Sequence, residues 1–210
     1  MPDQPISFES EFLNRARYAK GKKTLQAILD ATYDLIVEEG PTAASQKAIA
    51  ERAKVTQSAV RHYFPTKEDL LVAFFSTGIE RLRNLFKAKI DEADVDPRTR
   101  LLDIAALHFS CIRDTDDVFF FEATAFWRRH PNYSEIRDRW YQEASRYYQE
   151  LLQKIHPGWD EIRCTETSYQ VLTLILGGWV TAGRSRPIHQ DQTQESLTAI
   201  LLRGIERLID

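Results

Sequence analysis

Apolar residues recur along this chain at helical spacing, and no stretch alternates with the two-residue period of a strand. Leu25, Ile28, Leu29, Leu35 and Ile36, with Thr32 among them, predict an amphipathic helix that Gly40-Pro41 stops. Ser45 is placed to cap a short second helix whose Ile49, Ala50 and Ala53 face inward. Thr56 is placed to cap a third, running from Gln57 to about Phe64. Pro65 breaks the chain. Thr66, with Asp69 three residues on, reads as a capping box opening a long helix from Lys67 to about Asp91, with apolar positions from Leu70 to Ile90. Asp96-Pro97 marks the next start, with Pro at the first helical position and an end near Arg113. Val118 to Trp127 is apolar almost all round, which predicts a helix buried on every side. Another long helix carries Ile136, Trp140, Ala144, Tyr147, Leu151 and Ile155 on one face, and Pro157-Gly158 ends it. The last two helices run roughly from Glu161 to Gly183 and from Asp191 to Ile209. The expected fold is all-α, with about nine helices and no repeats.

Composition narrows the class. The chain has 210 residues, 43% hydrophobic and 28% charged, which is enough apolar mass for a core and argues against disorder. No apolar run is long enough to span a bilayer, so no membrane partner is expected. The first residues carry acids and no apolar signal-peptide core. Two cysteines, Cys111 and Cys164, make no disulfide framework, and a reducing cytoplasm is the expected location. The net charge of -3 hides an asymmetry: residues 12–67 hold ten Lys/Arg against five acids and carry +5, which leaves -8 on the rest. A basic first third points to a polyanion, or to no more than a solvated basic face.

The informative stretch is residues 45–64. Two short helices separated by the tight turn Ala53-Lys54-Val55-Thr56 have helix-turn-helix geometry, in which the second helix enters the DNA major groove. Val60 and Phe64, four apart, are expected to dock on Ile49 and Ala53. Gln57, Ser58, Arg61 and Tyr63 are then left outward. Gln suits adenine and Arg suits guanine, while Ser and Tyr hydroxyls suit phosphates.

The run from Ile49 to Leu71, IAERAKVTQSAVRHYFPTKEDLL, resembles the N-terminal motif of the TetR family of bacterial transcriptional regulators, roughly I-A-x-x-A-G-V-S-x-x-x-L-Y-x-Y-F-x-S-K-E-x-L. With the helix before it, the resemblance covers about the first third of the chain. It departs at two positions: Lys54 stands where the family has a turn glycine, and Arg61 where a tyrosine is frequent. The resemblance implies DNA contacts from Gln46, Lys47, Thr56, Gln57, Ser58, Arg61, Tyr63 and Lys67. Arg61 is left open between a base and a phosphate. Thr56 is equally a plain helix cap, and His62 is expected to pack on the first helix. Arg15, Arg17, Lys20, Lys22 and Lys23 form a basic arm, either reaching a minor groove or solvated. The expected domains are that arm over 1–21, the DNA-binding domain over 22–66, and a ligand-binding and dimerisation domain over 67–210.

Residues 107–148 hold 11 of the 23 aromatics in the chain, and aromatic walls with a few polar tips suit a small-molecule pocket between helices. The family binds its inducing ligand in the C-terminal domain. The expected lining is Phe86, His108, Phe109, Cys111, Glu122, Phe126, Trp127, Trp140, Tyr141 and Tyr148, and the expected effector is apolar or aromatic. A plain aromatic core is the alternative. The last two helices carry apolar arcs wider than one contact needs. Val171, Leu174, Gly178, Ala182, Leu197, Leu201, Gly204, Ile205 and Leu208 are the expected dimer interface, a four-helix bundle from two copies. No metalloprotease, nucleophile-elbow, P-loop or dinucleotide motif occurs, so no enzyme activity, metal or cofactor is expected. The expected function is a ligand-responsive regulator, most simply a repressor, that binds a palindromic DNA operator as a homodimer and is released by a small-molecule effector. The alternative is a helical protein–protein scaffold whose DNA motif has lost its function.

Overall fold

The computed structural model describes residues 19–114, 117–130, 134–183 and 191–210. Among them lie nine helices and no strand: α1 (Ala19–Glu39), α2 (Gln46–Arg52), α3 (Gln57–Tyr63), α4 (Lys67–Ile90), α5 (Pro97–Asp114), α6 (Asp117–Arg129), α7 (Glu135–Ile155), α8 (Glu161–Thr181) and α9 (Gln194–Ile209). Arg15 and Arg17 lie outside the described residues. Lys20, Lys22 and Lys23, expected on an arm, stand on the first turns of α1.

Packing divides the chain into two compact units, Met1–Arg81 with Phe121–Tyr133, and Leu82–Phe120 with Ser134–Asp210. This differs from the expected division after residue 66. Both α4 and α6 contribute to each unit. In the first unit the core is Leu25, Ile28, Leu29, Ile36, Ile49, Val60, Phe64, Leu70, Phe74 and Phe75. Phe75 meets Phe126 and Trp127 with ring centroids 5.3 and 6.0 Å away.

The second unit packs α5, α7, α8 and α9. Along α7 the buried positions are Trp140, Ala144, Tyr148, Leu151 and Leu152. Tyr147, expected on that face, is only half-buried, with the Arg146 guanidinium 6.0 Å from its ring centroid. On a 3.6-residue helix the buried positions centre near Ala144, and Tyr147 falls at the edge of that arc. The expected all-round burial of α6 is also corrected: Phe121 is 37% exposed and Thr124 is exposed. Phe120 stacks face to face on Trp179 at 4.1 Å. Phe109 of α5 lies against Gly178 of α8.

Candidate nucleic-acid interface

Both short helices begin with a side-chain cap. Ser45 Oγ accepts from the Ala48 amide, and Thr56 Oγ1 accepts from the Ala59 amide, each at 3.1 Å. Thr56 is therefore a helix cap, and it is exposed. The end of α2 is a Schellman turn: the Val55 amide donates to the Ala50 carbonyl at 3.0 Å, and the Lys54 amide to Glu51 at 3.3 Å. That turn requires a left-handed residue, and Lys54 supplies it at φ 55. The absent glycine did not relax the turn; a lysine carries the strain instead. Arg52 ties α2 to the end of α1 through Glu38 at 3.0 Å and Glu39 at 3.7 Å. Thr66 and Asp69 form the reciprocal capping box at the start of α4, at 3.1 and 3.0 Å.

The expected DNA contacts sort into two groups. Three are turned partly or wholly to the protein. The Lys67 ammonium donates to the carbonyls of Pro41 at 2.7 Å and Thr42 at 3.3 Å, and its burial lowers its pKa. The Tyr63 hydroxyl points to the Gly21 carbonyl at 3.5 Å, and its ring lies edge-on to His62. The Gln46 amide donates to the carbonyls of Phe64 at 2.8 Å and Pro65 at 3.2 Å, while its Oε1 accepts from Arg61 Nε at 3.3 Å. The other five, Lys47, Thr56, Gln57, Ser58 and Arg61, are exposed. Lys47 is loosely paired with Glu51 at 4.0 Å. His62, expected to pack inward, is exposed as well. The inner face of α3 is closed by Val60 at 0% exposure and Phe64 at 1%. Gln57 and Arg61, four apart, stand on its outer face beside Ser58.

This stretch matches the family model for bacterial regulatory proteins of the tetR family, over residues 28–74. Residues 28–74 are a TetR-family DNA-binding domain. A relative, the HTH-type transcriptional regulator BetI of Paraburkholderia phytofirmans, is 24% identical over 75% of this chain and 80% of its own. A TetR/AcrR-family regulator from Thermobifida fusca has a similar fold, with TM-score 0.69 and 22% identity over 86% of this chain and 97% of that one. AibR, in complex with isovaleryl coenzyme A and operator DNA, has TM-score 0.63 and 17% identity over 86% of this chain and 97% of its own.

The residues expected to line one TetR effector pocket fall into different places. Phe126 and Trp127 pack with Phe75 in the first unit, and Glu122 belongs to that unit too. In the second unit, Phe86, His108 and Trp140 form an edge-to-face cluster with centroids 4.9, 5.0 and 6.1 Å apart. His108 is 2% exposed, and burial holds its pKa down at about 3, so the imidazole is neutral. Its Nδ1 has no hydrogen-bond partner, and neither has the hydroxyl of Tyr148, which is fully buried and whose pKa burial raises. Tyr141 is half-buried, and its pKa is also raised by burial. Phe109 lies against Gly178. Cys111 is half-buried.

Of the expected dimer positions, Val171, Gly178, Ala182, Leu197, Leu201 and Ile205 are already buried within one chain. Leu174 is 43% exposed, and Gly204 and Leu208 are half-buried. An open groove of about 790 Å³ has Phe109, Leu174, Leu197 and Ile200 among its lining, with the exposed Arg203 and Arg207. Sequence reading missed an exposed apolar stripe on α8, Ile162, Tyr169 and Val180, at 69%, 70% and 61% exposure. Its signal is the spacing of 7 and 11 residues, a single line along a helix. Among the described residues no group of three His, Cys, Asp or Glu is placed to hold a metal, and no helix is long and apolar enough to cross a membrane.

Proposed function

We propose that this TetR-family chain is a ligand-responsive repressor that binds a near-palindromic DNA operator as a homodimer in the cytoplasm. The observation that carries the reading is the outer face of α3. Gln57, Ser58 and Arg61 stand exposed on a helix whose inner face is closed by Val60 and Phe64. Lys47 on α2 and Ser58 meet phosphates, and Gln57 reaches a base edge. Two recognition helices need half-sites about one turn, roughly 34–36 Å, apart. The dimer forms on α8 and α9, where Ile162, Tyr169, Leu174, Val180 and Ile200 present apolar surface.

The effector is a small, largely apolar molecule held in the second unit around Phe86, His108 and Trp140. An unpartnered Nδ1 and an unpartnered hydroxyl in an apolar core are costly unless a ligand supplies the missing hydrogen bonds. AibR, which binds isovaleryl coenzyme A and operator DNA, supports ligand control on this fold. The unbroken α4 carries the signal, since Lys67 follows the recognition helix closely and Phe86 touches the aromatic cluster. A coupling of about 1–3 kcal/mol changes operator affinity roughly 5–150-fold.

A gel shift across a salt series, with duplexes selected from a random library, tests DNA binding. The expected result is two-fold-symmetric binding that weakens steeply with salt. A folded dimer that enriches no duplex refutes the reading and favours the scaffold alternative.

A further inference from the structure

We propose that Arg61 reads a guanine in the major groove and that Gln46 is the positioning residue that aims it. The inference rests on the DNA-binding reading above. The geometry is a relay of three links. The Gln46 amide nitrogen is held by two backbone carbonyls at the end of α3, Phe64 at 2.8 Å and Pro65 at 3.2 Å. An amide fixed at its nitrogen has its oxygen fixed too. That oxygen accepts from Arg61 Nε at 3.3 Å.

A guanidinium has five N–H donors in a rigid plane. With Nε engaged by Gln46, the outer edge formed by the two Nη nitrogens is left, and neither has a partner among the described residues. That edge matches the O6 and N7 acceptors of guanine, which lie side by side on the major-groove edge. A phosphate contact needs only a charge of suitable reach, and a freely swinging arginine provides it. A base edge lies in a fixed plane, and reading it demands a donor pair of fixed orientation. Gln46 stands on α2, 15 residues before Arg61, so the relay also ties the aim of the arginine to the packing of the two helices.

The experiment is selection from a random duplex library with the full chain, at two salt concentrations, for wild type, Arg61→Ala and Gln46→Met. Wild type is expected to enrich a two-fold sequence with guanine at one position per half-site, preferred about 5- to 150-fold over other bases. Arg61→Ala makes that position degenerate and leaves the rest of the sequence. Gln46→Met lowers the guanine preference severalfold at that position alone, which a merely structural role of Gln46 would not do. Circular dichroism checks that each variant folds; Gln46→Asn, which keeps the amide but withdraws it by one methylene, serves if the Met variant does not. Uniform weakening on all duplexes by Arg61→Ala, with a smaller salt slope and unchanged base preferences, overturns the base contact. An unchanged guanine preference in both Gln46 variants overturns the positioning role. If wild type enriches nothing, the DNA-binding reading fails first and the inference goes with it.

Discussion

A Cβ added to Gly178 would lie 2.5 Å from Cε2 of Phe109, closer than real side chains approach. Gly178 thus lets α8 rest directly on an aromatic ring of α5. Gly178→Ala is expected to destabilise the fold by about 1–3 kcal/mol through overpacking. Gly177, its neighbour, has nothing within 4 Å of such a Cβ. Gly177→Ala is expected to stabilise by about 0.5–1 kcal/mol, from helix propensity alone. Chemical denaturation of the pair checks the contrast.

Lys54 sits at φ 55 in the turn of the DNA-binding motif. A left-handed non-glycine residue costs roughly 1–2 kcal/mol, and the extra freedom of an unfolded glycine offsets part of it. Lys54→Gly should therefore raise the unfolding free energy by about 0.5–1 kcal/mol. Lys54→Val should lower it, because a β-branched residue resists this conformation further. Denaturant midpoints at fixed pH measure both.

His108 is neutral in the folded chain, with its pKa lowered from 6.5 to about 3 by burial. Between those values the unfolded chain takes up a proton that the folded chain refuses, so stability falls as pH falls. The slope approaches about 1.4 kcal/mol per pH unit for this one group. Unfolding curves between about pH 4.5 and 6.5 should show it. His108→Gln, neutral throughout, should lose that share of the slope. A variant as acid-sensitive as wild type would mean that the imidazole is not the group responsible.

Ile200 is 52% exposed on α9, beside the groove that Leu174 also lines. Ile200→Glu is expected to leave the monomer folded and to abolish the dimer, as read by light scattering with circular dichroism as the control. Leu201 and Ile205 do not serve this test. They are buried within one chain, so a charge there damages the fold itself.

The helices were legible because their signals are local. The Thr66–Asp69 box and the caps at Ser45 and Thr56 appear where short-range chemistry places them. The helix-turn-helix was legible for the same reason, with Val60 and Phe64 spaced to close its inner face. What stayed hidden depends on distant partners. Nothing near Gln46 in sequence says that its amide reaches Phe64, 18 residues on. Lys67 reads as a free cation until its ammonium is seen on the Pro41 carbonyl. Gly178 reads as an interface residue because periodicity cannot say which neighbour an apolar face meets. The aromatic run in residues 107–148 reads as one cluster, yet its rings divide between two packing units, since a helix shows its successive side chains to different neighbours.

Sharing α4 between the two units limits how the molecule can be taken apart. Leu70, Phe74 and Phe75 lie beyond residue 66, yet they are nearly inaccessible and belong to the unit that holds the DNA-binding motif. A fragment cut after Pro65 would strip that motif of its aromatic floor and present bare apolar surface to water. Chimeras that graft this head onto another family member need α4 as far as Arg81, and a matching segment of α6, to inherit a closed interior. The recognisable motif is thus shorter than the piece of protein that evolution or an engineer can move.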